Sequence, residues 1–409
     1  MTETFLSRSA VRGPRAAAAI AVLGMVSLAL AGCALGLSED PEVRVALAPE
    51  ALSDEARGYL VTTFEAENPG ASLVIEDAPG GVDPSAPMEA DVLEMDAAKV
   101  PALVADGALL DIAGELEDLG GADLVPGLVM AASNGDGRFG VPLHADADVV
   151  LADPALGGEP APTLDEFVRA SIAGAQAAPG RPGILLSGGN DLLTFVWAGG
   201  GEVAVSDGGR WDARLGSEAS VAALVLLQDL LMNASVPPGF VAAESVGAAY
   251  CGAEAARLVG PGTGLAAGAC AGEGAPAAPA VFALPGRDGG AAPVAARGSV
   301  VGIAAGTAEP ELALSVVRIM LGEGFQSLLA AEGLVPARIS LAPLAAEQPG
   351  GAARALAAAS ARAVPATPRW AKVEEAGVLD ELLAAISRGE DVAAVAAAAD
   401  ARIEEILAG

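Results

Sequence analysis

Between Val43 and Ile75 the chain reads as strand, helix, strand, and that order restricts the fold more than any other feature. Val43 to Leu47 is an apolar run of strand length. Ser53 is placed to cap the next helix, with Asp54 and Glu55 in a first turn where the helix dipole favours negative charge. Ala56, Tyr59, Leu60, Thr63 and Phe64 recur at helical spacing and give that helix one apolar face. Asn68-Pro69-Gly70 stops it, and Ser72 to Ile75 follows as a second strand. This order implies a parallel βαβ unit.

The alternation continues. Asp91 to Met95 reads as a strand end and Lys99 to Asp106 as a helix. Phe139-Gly140-Val141-Pro142 leads into the apolar run Val149 to Leu151. Thr163-Leu164-Asp165-Glu166 has capping-box spacing, and Ser217 to Met232 is a strongly apolar helix. Gly and Pro crowd residues 260–298 around one strand, Ala280 to Leu284. Val300 to Ala304 is another strand. Helical patterns cover 309–321, 323–332, 374–387 and 391–407. The fold class is α/β, with no internal repeat. A remainder of this length suggests two domains or lobes.

The amino terminus has a separate character. Arg8, Arg12 and Arg15 precede an uncharged run from Ala16 to Gly32, the layout of a secretory signal. The run is marginal for a membrane span, which needs about 20 residues. Leu30-Ala31-Gly32-Cys33 resembles the lipobox of bacterial lipoproteins, in which the Cys is acylated, for instance with palmitate, and becomes the first mature residue. That reading makes 1–32 a signal peptide, Cys33 the lipidation site and 33–41 a tether. It puts the protein on the extracytoplasmic face of the cell membrane. The alternatives are a plain secretory signal with an incidental Cys, or a retained anchor. Export also favours pairing of Cys251 with Cys270, against the alternative of two separate buried thiols.

Composition excludes some partners. A formal net charge of −31 argues against nucleic acid and against anionic membrane surfaces. Hydrophobic residues make up 53% of the chain but aromatics only 3%, so Ala, Leu and Val must fill the core. One His makes a His-based metal site improbable, and no motif implies a cofactor.

The order of motifs resembles the extracellular solute-binding proteins of ABC importers, in the group that includes maltose- and trehalose-binding proteins. Phe64-Glu65-Ala66-Glu67-Asn68-Pro69-Gly70 is similar to that family's helix end. Ala90 to Asp96 followed by Leu103 to Leu110, and then Phe139-Gly140-Val141-Pro142, match in sequence order. So do Trp197-Ala198-Gly199-Gly200-Gly201-Glu202, Gly302-Ile303-Ala304 with Pro310-Glu311-Leu312-Ala313, and Pro365 to Trp370. The resemblance implies a periplasmic-binding-protein-like fold of two α/β lobes, joined by crossover strands and closing on a ligand between them. The lobes would be 42–143 with 302–348, and 147–298 with 352–409. The implied role is a monomeric receptor that hands a small solute, most readily a carbohydrate, to membrane permease subunits. Ligand crevices in open α/β sheets lie beyond strand ends.

The ligand-binding candidates follow from that layout. Asp96 lies just past a strand end, with Glu94 two residues earlier. His144 and Asp146 sit at the first lobe crossing. Asn190 and Asp191 follow a Gly-rich turn. Arg297 is a candidate cleft cation, and Trp370 a candidate aromatic stacking surface. Several aromatics usual in the family are Leu, Gly or Ala here, and the excess of acids over Arg also suits a cationic or amine-bearing solute. Each acid has a structural alternative as a helix cap or surface group, and His144 as an ordinary structural residue; Trp197 reads as core. Two other functions stay open. A thiamine-degrading transferase family shares the architecture but uses a Cys nucleophile after the first crossing, where this chain has His144-Ala145-Asp146. A lipoprotein acting in adhesion or signalling without a transporter is the other. The expectation is a receptor and not an enzyme.

Overall fold

The computed structural model describes residues 40–48, 52–78, 89–187, 189–207, 210–235, 246–261 and 278–408. The leader, Cys33, most of the tether and Cys270 lie outside these residues; Cys251 ends the short helix Val246–Cys251.

Nine strands organise the two sheets that matter here. In chain order they are β1 (Glu42–Leu47), β2 (Ser72–Asp77), β3 (Val92–Asp96), β4 (Val141–Asp146), β5 (Asp148–Ala152), β6 (Arg257–Pro261), β7 (Ala280–Phe282), β8 (Arg297–Ile303) and β9 (Val335–Pro336). The first sheet has the order β9-β4-β8-β3-β1-β2, and the second β6-β5-β7. β1 pairs in parallel with both β2 and β3, which is the expected βαβ unit. β8 enters antiparallel between β3 and β4. Ala147 alone separates β4 in the first sheet from β5 in the second.

The helices that bear on the cores and the site are α1 (Asp54–Glu67), α2 (Leu164–Ala177), α3 (Gly189–Ala198), α4 (Glu218–Ala234), α5 (Pro310–Met320), α6 (Glu323–Ala331), α7 (Gly351–Ala359), α8 (Trp370–Glu375), α9 (Val378–Ser387) and α10 (Val392–Ala408). Ser53 caps α1 through the backbone N–H of Ala56. The face of α1 is narrower than the periodicity suggests. Ala56, Leu60 and Phe64 are buried, whereas Tyr59 lies at the rim, its ring tilted against Phe325. α1, α5 and α6 pack together beside the first sheet, around Val45, Phe64, Val317 and Phe325. α2, α3, α4, α9 and α10 build a second core around Phe167, Phe195, Leu227 and Leu383, which takes in Val150 and Val259 of the second sheet. A third apolar layer runs through the crossing and includes Met95, Ala145, Val149, Leu258 and Val300.

Three local expectations need correction. The Gly-rich turn expected before Asn190 does not take in Gly189, which opens α3, and Asn190 and Asp191 stand in the first turn of that helix, where an acidic residue suits the dipole. β8 begins at Arg297, three residues before the expected strand start, because Arg297 and Ser299 pair with Asp146 and His144 across the ladder. The capping box at Thr163 is only half made. Thr163 Oγ1 accepts from the Glu166 N–H at 3.4 Å, while the Glu166 carboxylate turns to the Thr163 hydroxyl instead of its backbone.

Phe64 is fully buried between α1 and the α5–α6 pair. Phe64→Ala should therefore cost about 3–5 kcal/mol in denaturant unfolding, and Tyr59→Ala at the rim well under half of that. Equal losses would contradict the packing described.

Candidate functional site

β8 places the candidate residues. In register, Ser299 lies between Asp96 on β3 and His144 on β4, and Arg297 lies opposite Asp146. Gly298, between them, has φ +138°, and a Cβ there would meet the His144 carbonyl oxygen at 2.3 Å. Only glycine allows that approach, so the Arg-Gly-Ser sequence lets the backbone turn while Arg297 faces the crossing.

A cavity of about 250 Å³ opens beside this point. Its walls include Asp96, Ala97 and Ala98 after β3, the start of β8 with Arg297, and the segment from Ala363 into α8 with Thr367, Trp370 and Glu374. Three of the eight candidates, Asp96, Arg297 and Trp370, thus line one cavity. Asp96 does two jobs at once. Its Oδ1 accepts from the Ala98 N–H at 2.8 Å and caps the turn, while the side chain stays exposed toward the cavity. Trp370 is 3% exposed and belongs both to the second core and to the cavity wall.

Four other candidates are buried in or beside the crossing strands. Glu94 accepts from the Ala48 N–H at 3.1 Å, and its other oxygen is 4.0 Å from His144 Nε2. Burial drives the His144 pKa down to about 4, opposed by the Asp146 charge and helped by Arg354, so the imidazole is neutral at pH 7. Asp146 Oδ1 accepts from Arg354 Nε at 3.1 Å, and Arg354 Nη1 donates to the Gly333 carbonyl at 2.6 Å. Asp191 is fully buried and accepts from the Ser187 N–H. Asn190 shares its helical turn, but its side chain lies outside the described residues.

Sequence reasoning missed three participants. Arg354 sits in the alanine-rich helix α7, 208 positions from its partner, with no motif to mark it. Asp148 follows Asp146 by two residues and is fully buried, its Oδ1 3.1 Å from Arg297 Nε. The alternation Asp146-Ala147-Asp148 was the available signal. Glu374, one helical turn after Trp370, is the third. The carboxyl of Asp148 is pushed up by burial, with Arg297 pulling it down and Asp146 raising it. Asp191 is raised by burial and then by the charge of Asp148. Among the described residues no group of three or more His, Cys, Asp or Glu could hold a metal ion.

The Trp197–Glu202 motif is architectural. Arg362 lies over the Trp197 ring at 5.4 Å and forks onto both Glu202 oxygens at 3.1 and 2.8 Å. It thereby ties α3 to the segment that leads into α8.

Two lobes joined at crossing strands, with a cavity beside the crossing, define a bilobal α/β protein of the binding-protein type. The chain belongs to the bacterial extracellular solute-binding protein family, whose profile matches residues 48–327. The fold is similar to that of the cyclic alpha-maltosyl-1,6-maltose binding protein from Arthrobacter globiformis, with TM-score 0.76, 18% identity, and coverage of 90% of this chain and 99% of that one. It is also similar to the sugar-binding protein MalE from Xanthomonas citri (TM-score 0.74, 17% identity, 90% and 97% covered). A third likeness is to UgpB from Mycobacterium tuberculosis, solved with glycerophosphocholine (TM-score 0.67, 18% identity, 90% and 98% covered). No curated protein matches this chain by sequence.

Two outcomes follow from the buried charges. Removing one member of the Asp146–Arg354 pair strands a charge. Asp146→Ala should cost about 3–5 kcal/mol in unfolding, and the double variant Asp146→Leu with Arg354→Met should recover most of it. For Asp191, the folded state holds a proton that the unfolded chain releases above the ordinary value of 3.8. Its contribution to stability therefore falls as pH rises above that value. Asp191→Asn keeps an acceptor for Ser187 and removes the titration. Its melting temperature should decline less than that of the parent between about pH 5 and pH 8, and an unaltered slope would show an ionised, well-solvated Asp191. His144 acts in the opposite sense: its pKa is lowered from 6.5, so its contribution is lost as pH falls toward 4.

Proposed function

We propose that this protein is the capture component of an ABC importer, binding a carbohydrate between its lobes and presenting the closed form to membrane permease subunits. The observation that carries this reading is the cavity at the crossing, where Asp96 comes from the first sheet and Trp370 from the helices of the second core. A solute in contact with both walls favours the closed form by its differential affinity. Sugar sites combine planar polar groups with an aromatic face, and the cavity has Asp96, Arg297 and Trp370. The Arthrobacter and Xanthomonas proteins, named for the sugars they bind, share the fold and so support the solute class.

In this reading the lobes are 42–143 with 302–348 and 147–298 with 352–409. Glu94, His144 and Asp146 brace the strands that carry Asp96 and Arg297, and Asp191 is held by the Ser187 N–H. Cys33 carries the lipid that keeps a monomeric receptor on the outer face of the membrane, and Cys251 pairs with Cys270. Intact mass before and after reduction and alkylation would test the pairing, and metabolic labelling with a fatty acid would test Cys33.

Thermal-shift measurements with maltose, trehalose, maltodextrins, glycerophosphocholine and thiamine should give one class of solute that raises the melting temperature. At 100 times Kd the stabilisation is about 2.7 kcal/mol. A shift with sugars supports the proposal. A shift with none of these solutes would refute it, and turnover of thiamine would favour the transferase reading.

A further inference from the structure

The charges around the cavity are unevenly matched. Asp96 enters it from the end of β3 and Glu374 from α8, so the two carboxylates reach one cavity from different elements. Burial raises the Glu374 pKa, the Trp370 indole N–H lowers it in part, and the charge of Asp96 raises it again. Glu374 keeps an exposed side chain while lining the cavity. Arg297 is the one cation among the described residues of the lining, and its Nε already lies 3.1 Å from the fully buried carboxylate of Asp148. The remaining walls are mostly Ala and Pro, and Trp370 Nε1 is buried there, directed at Glu374 but outside hydrogen-bond geometry with it.

We propose that the solute is an amine-bearing sugar, its ammonium held between Asp96 and Glu374 and one of its oxygens accepting from the indole N–H of Trp370. This deepens the carbohydrate reading and rests on it. Two like charges approaching across a cleft repel each other more strongly as water leaves. A neutral sugar can donate hydroxyls to both carboxylates but leaves that repulsion in place. An ammonium removes it and forms charge-assisted hydrogen bonds, about twice as strong as neutral ones. The net charge of −31 adds a field that concentrates cations near the protein. The cavity of about 250 Å³ sets the scale of the part that is enclosed.

Titration calorimetry with glucosamine, N-acetylglucosamine and glucose at about pH 6.5 separates the charge from the skeleton, since both neutral sugars lack the ammonium, one carrying an acetamide and the other a hydroxyl in its place. Glucosamine should bind about tenfold tighter than either neutral sugar. Asp96→Asn keeps the cap on Ala98, and Glu374→Gln keeps the shape of the wall. Each should bring the ratio near one, glucosamine losing more affinity than the neutral sugars, while leaving the melting temperature close to the parent value. Equal affinity for all three sugars, or a preference that survives both substitutions, would overturn the amine assignment and leave the carbohydrate receptor standing. If these three sugars and the maltodextrins all fail to bind, the carbohydrate reading itself fails, and the amine assignment with it.

Discussion

The ion pair of Arg297 with Asp148 is the contact on which the rest of the architecture depends. Asp148 is the first residue of the second sheet and Arg297 the first residue of the strand that returns to the first. Their contact at 3.1 Å ties the two sheets together where the chain changes lobe. A second pair, Asp146 with Arg354, anchors the preceding strand to α7, which packs against β4, β5 and β9. Ion pairs with a buried carboxylate contribute little net stability, because desolvation offsets most of their attraction. Their value is positional. A slip of one residue in β4 or β8 would leave an unpaired charge in an apolar layer lined by Ala145, Val149 and Val300.

That positional role explains how the cavity is placed. Gly298 lets β8 approach the His144 carbonyl, which sets Arg297 at the floor. Asp96 is directed by its cap on the Ala97–Lys99 turn, a local hydrogen bond that survives any movement of the other lobe. Trp370 and Glu374 are directed by α8, which packs on α9 and α10. The two walls thus draw on different packing layers: Met95 and Ala97 belong to the layer through the crossing and Trp370 to the second core. Function in this account needs the walls to be rigid individually and adjustable with respect to each other.

Much of the fold was legible in the sequence because its signals are local. The Ser53 cap, the Asn68-Pro69-Gly70 stop and the helical spacing of Leu60 and Phe64 each span a few residues, and the structure has α1 between β1 and β2 accordingly. The family's motifs were legible for a related reason: Trp197 and Glu202 are close in sequence and share one partner, Arg362. The deeper part of the site was not legible. Nothing near Arg354 in an alanine-rich stretch indicates a carboxylate 208 positions away. Gly188-Gly189 reads as turn chemistry, yet Gly189 opens a helix, with Asp191 buried against Ser187. Asp148 was passed over because it begins an apolar strand, and only burial on both faces makes its charge consequential.

The central claim is that a solute draws the two walls together across the cavity at the crossing. Small-angle X-ray scattering with and without the sugar that gives the largest thermal shift tests it directly. The account predicts a smaller radius of gyration and a shorter maximum dimension on binding, with no change in molecular mass. Saturating sugar that leaves both dimensions unchanged, or that changes the mass instead, would contradict it.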